Sequence, residues 1–530
     1  MRPKSVVLPL MALLISPALT SAHEHTEAAP APTRLGTVSF EISCKPELQP
    51  DFNRAVALLH SFWRNEAERA FERIAAADPD CAIAYWGEAM AGFPQVNGWP
   101  QPAAVAAAQS ELTRADTAFK RSPREATYIH ALHVFYDDYR PEEAISHARR
   151  YADAMGTLAE AFPDDLEAKV FYALALLTSD PPDDLDLVNP KKAVAILYPL
   201  FREHPDHPGI AHYIIHACDN PEMAQQGLEA ARRYAKIAPA APHALHMPGH
   251  IFARLGLWQD DIRSNLASKS AAENTTGMHV GAQHRLHAME FLEYAYLQIG
   301  HDDEARAIVA EAKTVKQSDI DSPFPIYYSI VEARLPSLFA IETQDWVMAA
   351  HLESVATDRF SEEPILLAHA IAAGHSRNAH AGLEAAEAID RLIASDPPTP
   401  ADSGPDTMHD EIHAWADFAQ GNLESAIALL RPISERQAKV GKEEIELPAR
   451  EMLAEMLLLE DKASEALKEY QASLVSDPNR FNALLGAAQA AERLGQRQLA
   501  ARYYRTLLAN CVRANGNALV ELRHAQAVVR

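Results

Sequence analysis

Residues 447–480, LPAREMLAEMLLLEDKASEALKEYQASLVSDPNR, followed by residues 481–510, FNALLGAAQAAERLGQRQLAARYYRTLLAN, decide the fold. Ala454, Ala466 and Tyr470 recur 34 residues later as Ala488, Ala500 and Tyr504, and Pro478 closes the first stretch. At the other end of the chain Ala55, Ala67, Phe71 and Pro79 repeat the same internal spacing. A period of this length is one helix-turn-helix unit, which cannot bury its own apolar face and must stack on its neighbours. Small residues let the two helices approach closely, the aromatic fills the gap, and the proline stops the second helix.

In that register Gly256-Leu257-Trp258, Gly300-His301-Asp302, Gln344-Asp345-Trp346 and Gly421-Asn422-Leu423 read as further turns. Starts near 48, 82, 125, 165, 208, 242, 286, 330, 367, 407, 447 and 481 predict about twelve units. Loop-like insertions are expected at 94–102, 180–190 and 396–405. Segment 396–406 is the expected linker between a lobe over 38–395 and a C-terminal lobe over 407–530.

The set of two small residues, an aromatic and a proline resembles the tetratricopeptide repeat (TPR). That resemblance implies an all-α TPR-like solenoid, a right-handed superhelix of antiparallel helix pairs whose first helices line a concave groove. The phrases ALLHSFWRNEAERAF, DPDCAIAYWGEAMA, AHYIIHACDNP and APHALHMPGHIFARLGLW are similar to those of exported bacterial TPR proteins. The likeness covers most of 38–310 and implies a fold and a compartment, but no mechanism.

The 530 residues are 48% hydrophobic and 23% charged, a globular composition. Met1 to Ala22 has the basic start, apolar stretch and small terminal residues of a secretory signal peptide, so the protein is expected to be exported, to a periplasm or beyond the cell. Residues 23–37 are expected to form a flexible leader. After signal removal no run approaches the roughly 20 apolar residues of a membrane span. The formal charge of −25 repels a phosphate backbone, so nucleic acid is not an expected partner. Of four cysteines, Cys44 and Cys81 flank the first helix pair and are a disulfide candidate. Cys218 and Cys511 read as buried small hydrophobes.

The histidines carry the one chemical signal. Eight of the 24 (His212, His216, His243, His246, His250, His279, His284 and His287) fall within residues 212–287, more than twice an even share. Adding one period to His212 and His216 gives His246 and His250, so two successive units carry the same pair at the fifth and ninth places. His243 and His287 each hold the second place of their unit. Residues four apart share a helix face. The spacing therefore predicts that His212, His216, His246 and His250 project into one groove, with His243, His284 and His287 at its margin. Pro248 works against this geometry: a helix beginning there would leave His246 in the preceding loop.

Two functions follow. The first is an exported scaffold whose groove, lined by His212, His216, His243, His246, His250, His284, His287 and Glu290, binds a peptide, protein or small ligand. The alternative is a divalent transition metal, zinc or copper, on His212, His216, His246 and His250, because imidazole suits such ions. Asp219 and Glu290 are then carboxylate ligands or partners for the second ring nitrogens. An enzyme built on that site has no assigned general base, and no Gly-rich phosphate loop, Gly-x-Ser-x-Gly elbow or Cys-x-x-Cys is present. His409 and His413 form an isolated pair read as surface or core. His60, His130 and His133 carry no more weight. Trp86 and Trp258 hold packing positions.

Overall fold

The computed structural model describes residues 34–530 except 95, 97, 182–183, 274–279, 317–326, 356–357, 397–406 and 443–444. The expected signal segment 1–22, leader residues 23–33 and nearly all of the linker lie outside the described residues. Within them every regular element is a helix, apart from an isolated bridge between Cys81 and Lys120. The helices come in pairs, from Gln49–His60 with Arg64–Ala77 to Phe481–Arg493 with Arg497–Asn510, and Ala518–Val529 covers the last one. Each expected unit start falls within eight residues of a first helix, and the chain is an all-α TPR-like solenoid.

The repeat residues pack as their chemistry dictates. Ala55, Ala67, Phe71, Ala454, Ala466, Tyr470, Ala488, Ala500 and Tyr504 are all buried. Phe71 lies on Gly87 and Tyr470 on Gly486, sixteen residues on in both cases, and a Cβ at either glycine would meet the ring at 2.2 Å. Within the pairs, Gly256, Gly300, Gln344 and Gly421 take positive φ and reverse the chain. Trp86 and Trp258 are buried. Around the 396–406 segment, helix Ala379–Ser395 packs on Thr407–Ala419: a Cβ on Gly382 would lie 3.1 Å from Ala419. Helix Arg359–Ser376 packs on both.

The superhelix then closes on itself. Trp258 Nε1 donates to the Asn479 carbonyl at 2.9 Å, the Phe481 amide to Gln298 at 3.0 Å, and the Asn515 amide to the Gly300 carbonyl at 2.8 Å. Arg480, fully buried, joins these layers through Glu451 and Glu342, each at 2.7 Å. Burial of an ion pair is tolerable only with this degree of hydrogen bonding.

Two expectations change in the N-terminal half. Residues 34–37 are not a free leader: Leu35 is buried, the Thr37 amide donates to the Asp206 carbonyl at 2.9 Å, and Gly36 leaves no room for a Cβ. Alternating Val38 and Phe40 continue this extended strap into the core. Nor do the first five first helices enclose an open groove. Phe40 of the strap packs on Phe52, Trp86 and Tyr128 at 5.0–5.6 Å, and Phe171, His60 and Tyr213 continue the cluster. The curvature is tight enough for inner faces to meet, so aromatic side chains fill the space a ligand would need. Cys44 and Cys81 are disulfide-bonded, their Cα atoms 5.0 Å apart, and tie the strap to the second unit. Cys218 and Cys511 are free and buried.

Candidate metal centre

The histidine cluster is built by four helices. Pro208–Ala217 carries His212 and His216, Pro242–His246 carries His243 and His246, Pro248–Arg254 carries His250, and Val280–Gln298 carries His284 and His287. Pro248 does start a new helix, where its missing N–H costs nothing, but His246 is the last residue of the preceding helix rather than of a loop. Met247 between them keeps helical angles, φ −50° and ψ −34°. The backbone therefore carries the four-residue spacing across the break, and His246 Nε2 lies 2.9 Å from His250 Nε2.

The expected set of four, His212, His216, His246 and His250, is not one site. The structure sorts the residues into two trios, His212, His216 and His243 in one, His246, His250 and His287 in the other. Each trio takes the fifth and ninth places of one unit and the second place of the next. His243 and His287, expected at the margin, are full members because the first turn of a first helix lies opposite the middle of its predecessor. His284 stands between, its ring 5.9 Å from that of His243. His279 lies outside the described residues.

Hydrogen bonds behind the rings of His212, His246, His250 and His287 assign their protons. His212 Nδ1 donates to the His60 carbonyl at 2.6 Å, and His246 Nδ1 to Asn265 Oδ1 at 2.6 Å. Asn265 in turn donates through Nδ2 to Asp261, which fixes its oxygen toward His246. His250 Nδ1 donates to Asp219 at 2.8 Å, with Arg254 on the other carboxylate oxygen at 2.9 Å. His287 Nδ1 donates to Glu290 at 3.1 Å, and Glu290 also accepts from Tyr327 and Arg334. Asp219 and Glu290 thus stand behind the rings and orient them, the usual arrangement around a metal-ligating imidazole.

With Nδ1 protonated, a neutral ring presents a bare lone pair at Nε2. In the first trio the Nε2 atoms of His216 and His243 each lie 3.1 Å from that of His212. In the second, His246 and His250 aim lone pairs at each other across 2.9 Å. In the second trio that contact calls for a shared cation, a proton or a metal ion; in the first, the lone pair of His212 Nε2 can take an Nε2–H from His216 or His243 or face an ion together with them. At His212, His216, His243, His246 and His284 a proton is disfavoured. Burial, then the neighbouring histidines, hold His212, His243 and His246 well below the ordinary imidazole value. Burial, then His250, takes His216 to about 3, and burial, then His287, takes His284 to about 4. Acceptors spaced about 3 Å apart suit an ion bound at 2.0–2.1 Å from each nitrogen.

Two aromatic rings wall the trios. Phe62 lies 4.3–5.4 Å from the rings of His212, His216 and His243, and Phe291 lies 4.7–5.5 Å from those of His246, His250 and His287. Phe62 has φ +50°, a left-handed conformation costly for a bulky residue. Neither Phe62 nor Asn265 carries a sequence signal. The second-place register of His243 and His287 was a signal, though it pointed to the margin.

The remaining histidine clusters are closed. His60 and His207 both donate from Nε2 to Glu167, at 2.8 and 2.9 Å, and their Nδ1 atoms accept from Tyr213 and the Ile210 amide. Burial raises the Glu167 carboxyl, but His207 and His60 outweigh it and hold it well below the usual range. This network fixes the His60 carbonyl behind His212. Nearer the surface, half-buried His409 and His413 both point Nε2 at Oδ1 of exposed Asp390, at 3.0 Å each.

No family model matches the chain, and no curated protein matches it. Among solved structures it is similar to a monomeric mutant of IFIT1 with Gppp-AAAA, at 12% identity over 84% of this chain and 90% of that one, TM-score 0.37. It is similar too to the TPR domain of P58(IPK), at 11% identity over 91% and 98%, TM-score 0.20, and to human IFIT1 dimer with m7Gppp-AAAA, at 12% identity over 81% and 90%, TM-score 0.34. The chain's own helix pairs make it a TPR-like helical-repeat protein.

Proposed function

We propose that this chain is an exported transition-metal-binding protein whose central repeats hold two adjacent tri-imidazole sites. The observation that carries the reading is the convergence of Nε2 atoms at 2.9–3.1 Å, with the Nδ1 protons of His212, His246 and His250 committed to oxygen acceptors. Neutral imidazoles without carboxylate or thiolate ligands suit copper, zinc, nickel or iron and exclude magnesium and calcium. Export is supported by the signal-like residues Met1–Ala22 and by the Cys44–Cys81 disulfide, which belongs to an oxidising compartment. Among the described residues no helix is long and apolar enough to cross a membrane.

The test is metal analysis of protein purified without a polyhistidine tag and then exposed in turn to copper, zinc, nickel or iron. Bound metal is expected, with His216→Ala reducing it and His409→Ala leaving it unchanged. No uptake of any of the four metals, or equal loss from both variants, overturns the reading.

A ligand-binding scaffold has its own support, away from these histidines. A cavity of about 830 Å³ lies between the strap and the starts of two first helices, lined by Glu41, Arg124, Asp164, Asp206 and His207 among others. It is large enough for a small molecule.

A further inference from the structure

Building on the metal-binding reading, we propose that the two trios form one dinuclear copper centre, with two copper ions on three imidazoles each and a small anion bridging them.

Proximity is the first argument. His243 of one trio and His246 of the other lie three residues apart in one helix, their ring centroids separated by 6.1 Å. Separations inside the trios reach the same length, 6.4 Å for His216 and His243 and 6.2 Å for His250 and His287. The gap between sites is no wider than the sites themselves. Ions held by the two trios would therefore be close neighbours, the arrangement a bridging anion requires.

Charge chooses the metal. Each trio offers three neutral nitrogens, and the nearest carboxylates, Asp219 and Glu290, are spent on Nδ1 protons behind the rings. Two divalent ions in an uncharged shell concentrate four positive charges in a partly buried pocket, at a steep desolvation cost. Two remedies exist: a bridging anion, or an ion that also rests at +1. Copper permits both, is stable in nitrogen sites in either state, and stands at the top of the affinity order as Cu(II). Zinc has no lower state. Phe62 and Phe291 wall the trios, and the bridge proposed is a small anion such as hydroxide or azide.

Other clusters carry less. Asp390 already satisfies His409 and His413. Glu167 already satisfies His60 and His207.

The experiment loads the full untagged chain with Cu(II), measures copper per chain, and integrates the electron paramagnetic resonance signal with and without azide. Expected are two coppers per chain with far fewer than two spins, because a bridge couples the ions magnetically. His250→Ala and His216→Ala, each damaging a different trio, should each halve the copper and restore a one-spin signal. Two coppers giving two full spins with and without azide, a single copper in the unaltered chain, or displacement of copper by equimolar zinc overturns the dinuclear centre and leaves metal binding standing. Absence of any bound metal removes both.

Discussion

The trio His246, His250 and His287 and the surface group Asp390, His409 and His413 are made of nearly the same parts. Each has two histidines four residues apart and a third residue from a neighbouring helix. Their surroundings give them opposite chemistry. In the partly buried trio Asp219 and Glu290 lie behind rings, and the Nε2 lone pairs of His246 and His250 face each other. On the surface a carboxylate stands in front, so both Nε2 atoms have a proton acceptor. Burial lowers His246 strongly. Burial also lowers His409, but Asp410 and Asp390 outweigh it and leave it raised. One arrangement disfavours a proton at His246, whereas the other favours one at His409.

The largest effect that sharpens this contrast is the acid response of the metal-free protein. His212, His216, His243 and His246 have folded values below the unfolded 6.5, so the unfolded chain takes up more protons as pH falls. Their contribution is complete above pH 6.5 and is lost below it, at about 1.4 kcal/mol per pH unit for each ring kept neutral. Hydrogen exchange at pH 7.5 and 5.5 should show protection falling across 208–254 while 407–440 holds. Equal loss in both regions would break the comparison.

A smaller effect is expected behind the buried rings. Asn265→Ala removes the acceptor that fixes the His246 tautomer and should weaken metal binding about 10–100-fold. Asp390→Asn should leave it unchanged. Competition with a chromophoric chelator measures both, and a loss caused by Asp390→Asn would place metal on the surface group.

The smallest effect belongs to that surface group. With His409 raised, its stabilisation is present below pH 6.5 and lost as pH climbs through the folded value. Asp390→Asn should lower the His409 midpoint in an NMR titration and cost under about 1 kcal/mol at pH 5.5, since the pair is exposed to solvent. An unmoved midpoint would mean Asp410 alone holds it.

Much of the fold was legible because the repeat writes the same packing problem at each turn. Ala454, Ala466 and Tyr470 announce helices that must stack, and turn signals at Gly256, Gly300, Gln344 and Gly421 mark reversals that the backbone makes at positive φ. The strap was not legible: Leu35, Val38 and Phe40 gain meaning only from the aromatic residues they meet, which come from separate units. At the candidate site the histidines and their period were plain, yet their grouping was not. A register repeats within helices, whereas the offset of one first helix against the next is set by packing, and that offset joined His243 to His212 and His287 to His246.

From its amino acids alone this chain is committed to stacked helix pairs and to a band of imidazoles one period apart, because both follow from local spacing. Which imidazoles stand together, which ring nitrogens face an oxygen acceptor, and whether an inner groove stays open were settled by contacts between residues tens to hundreds of positions apart. Those contacts exist only once the superhelix has closed.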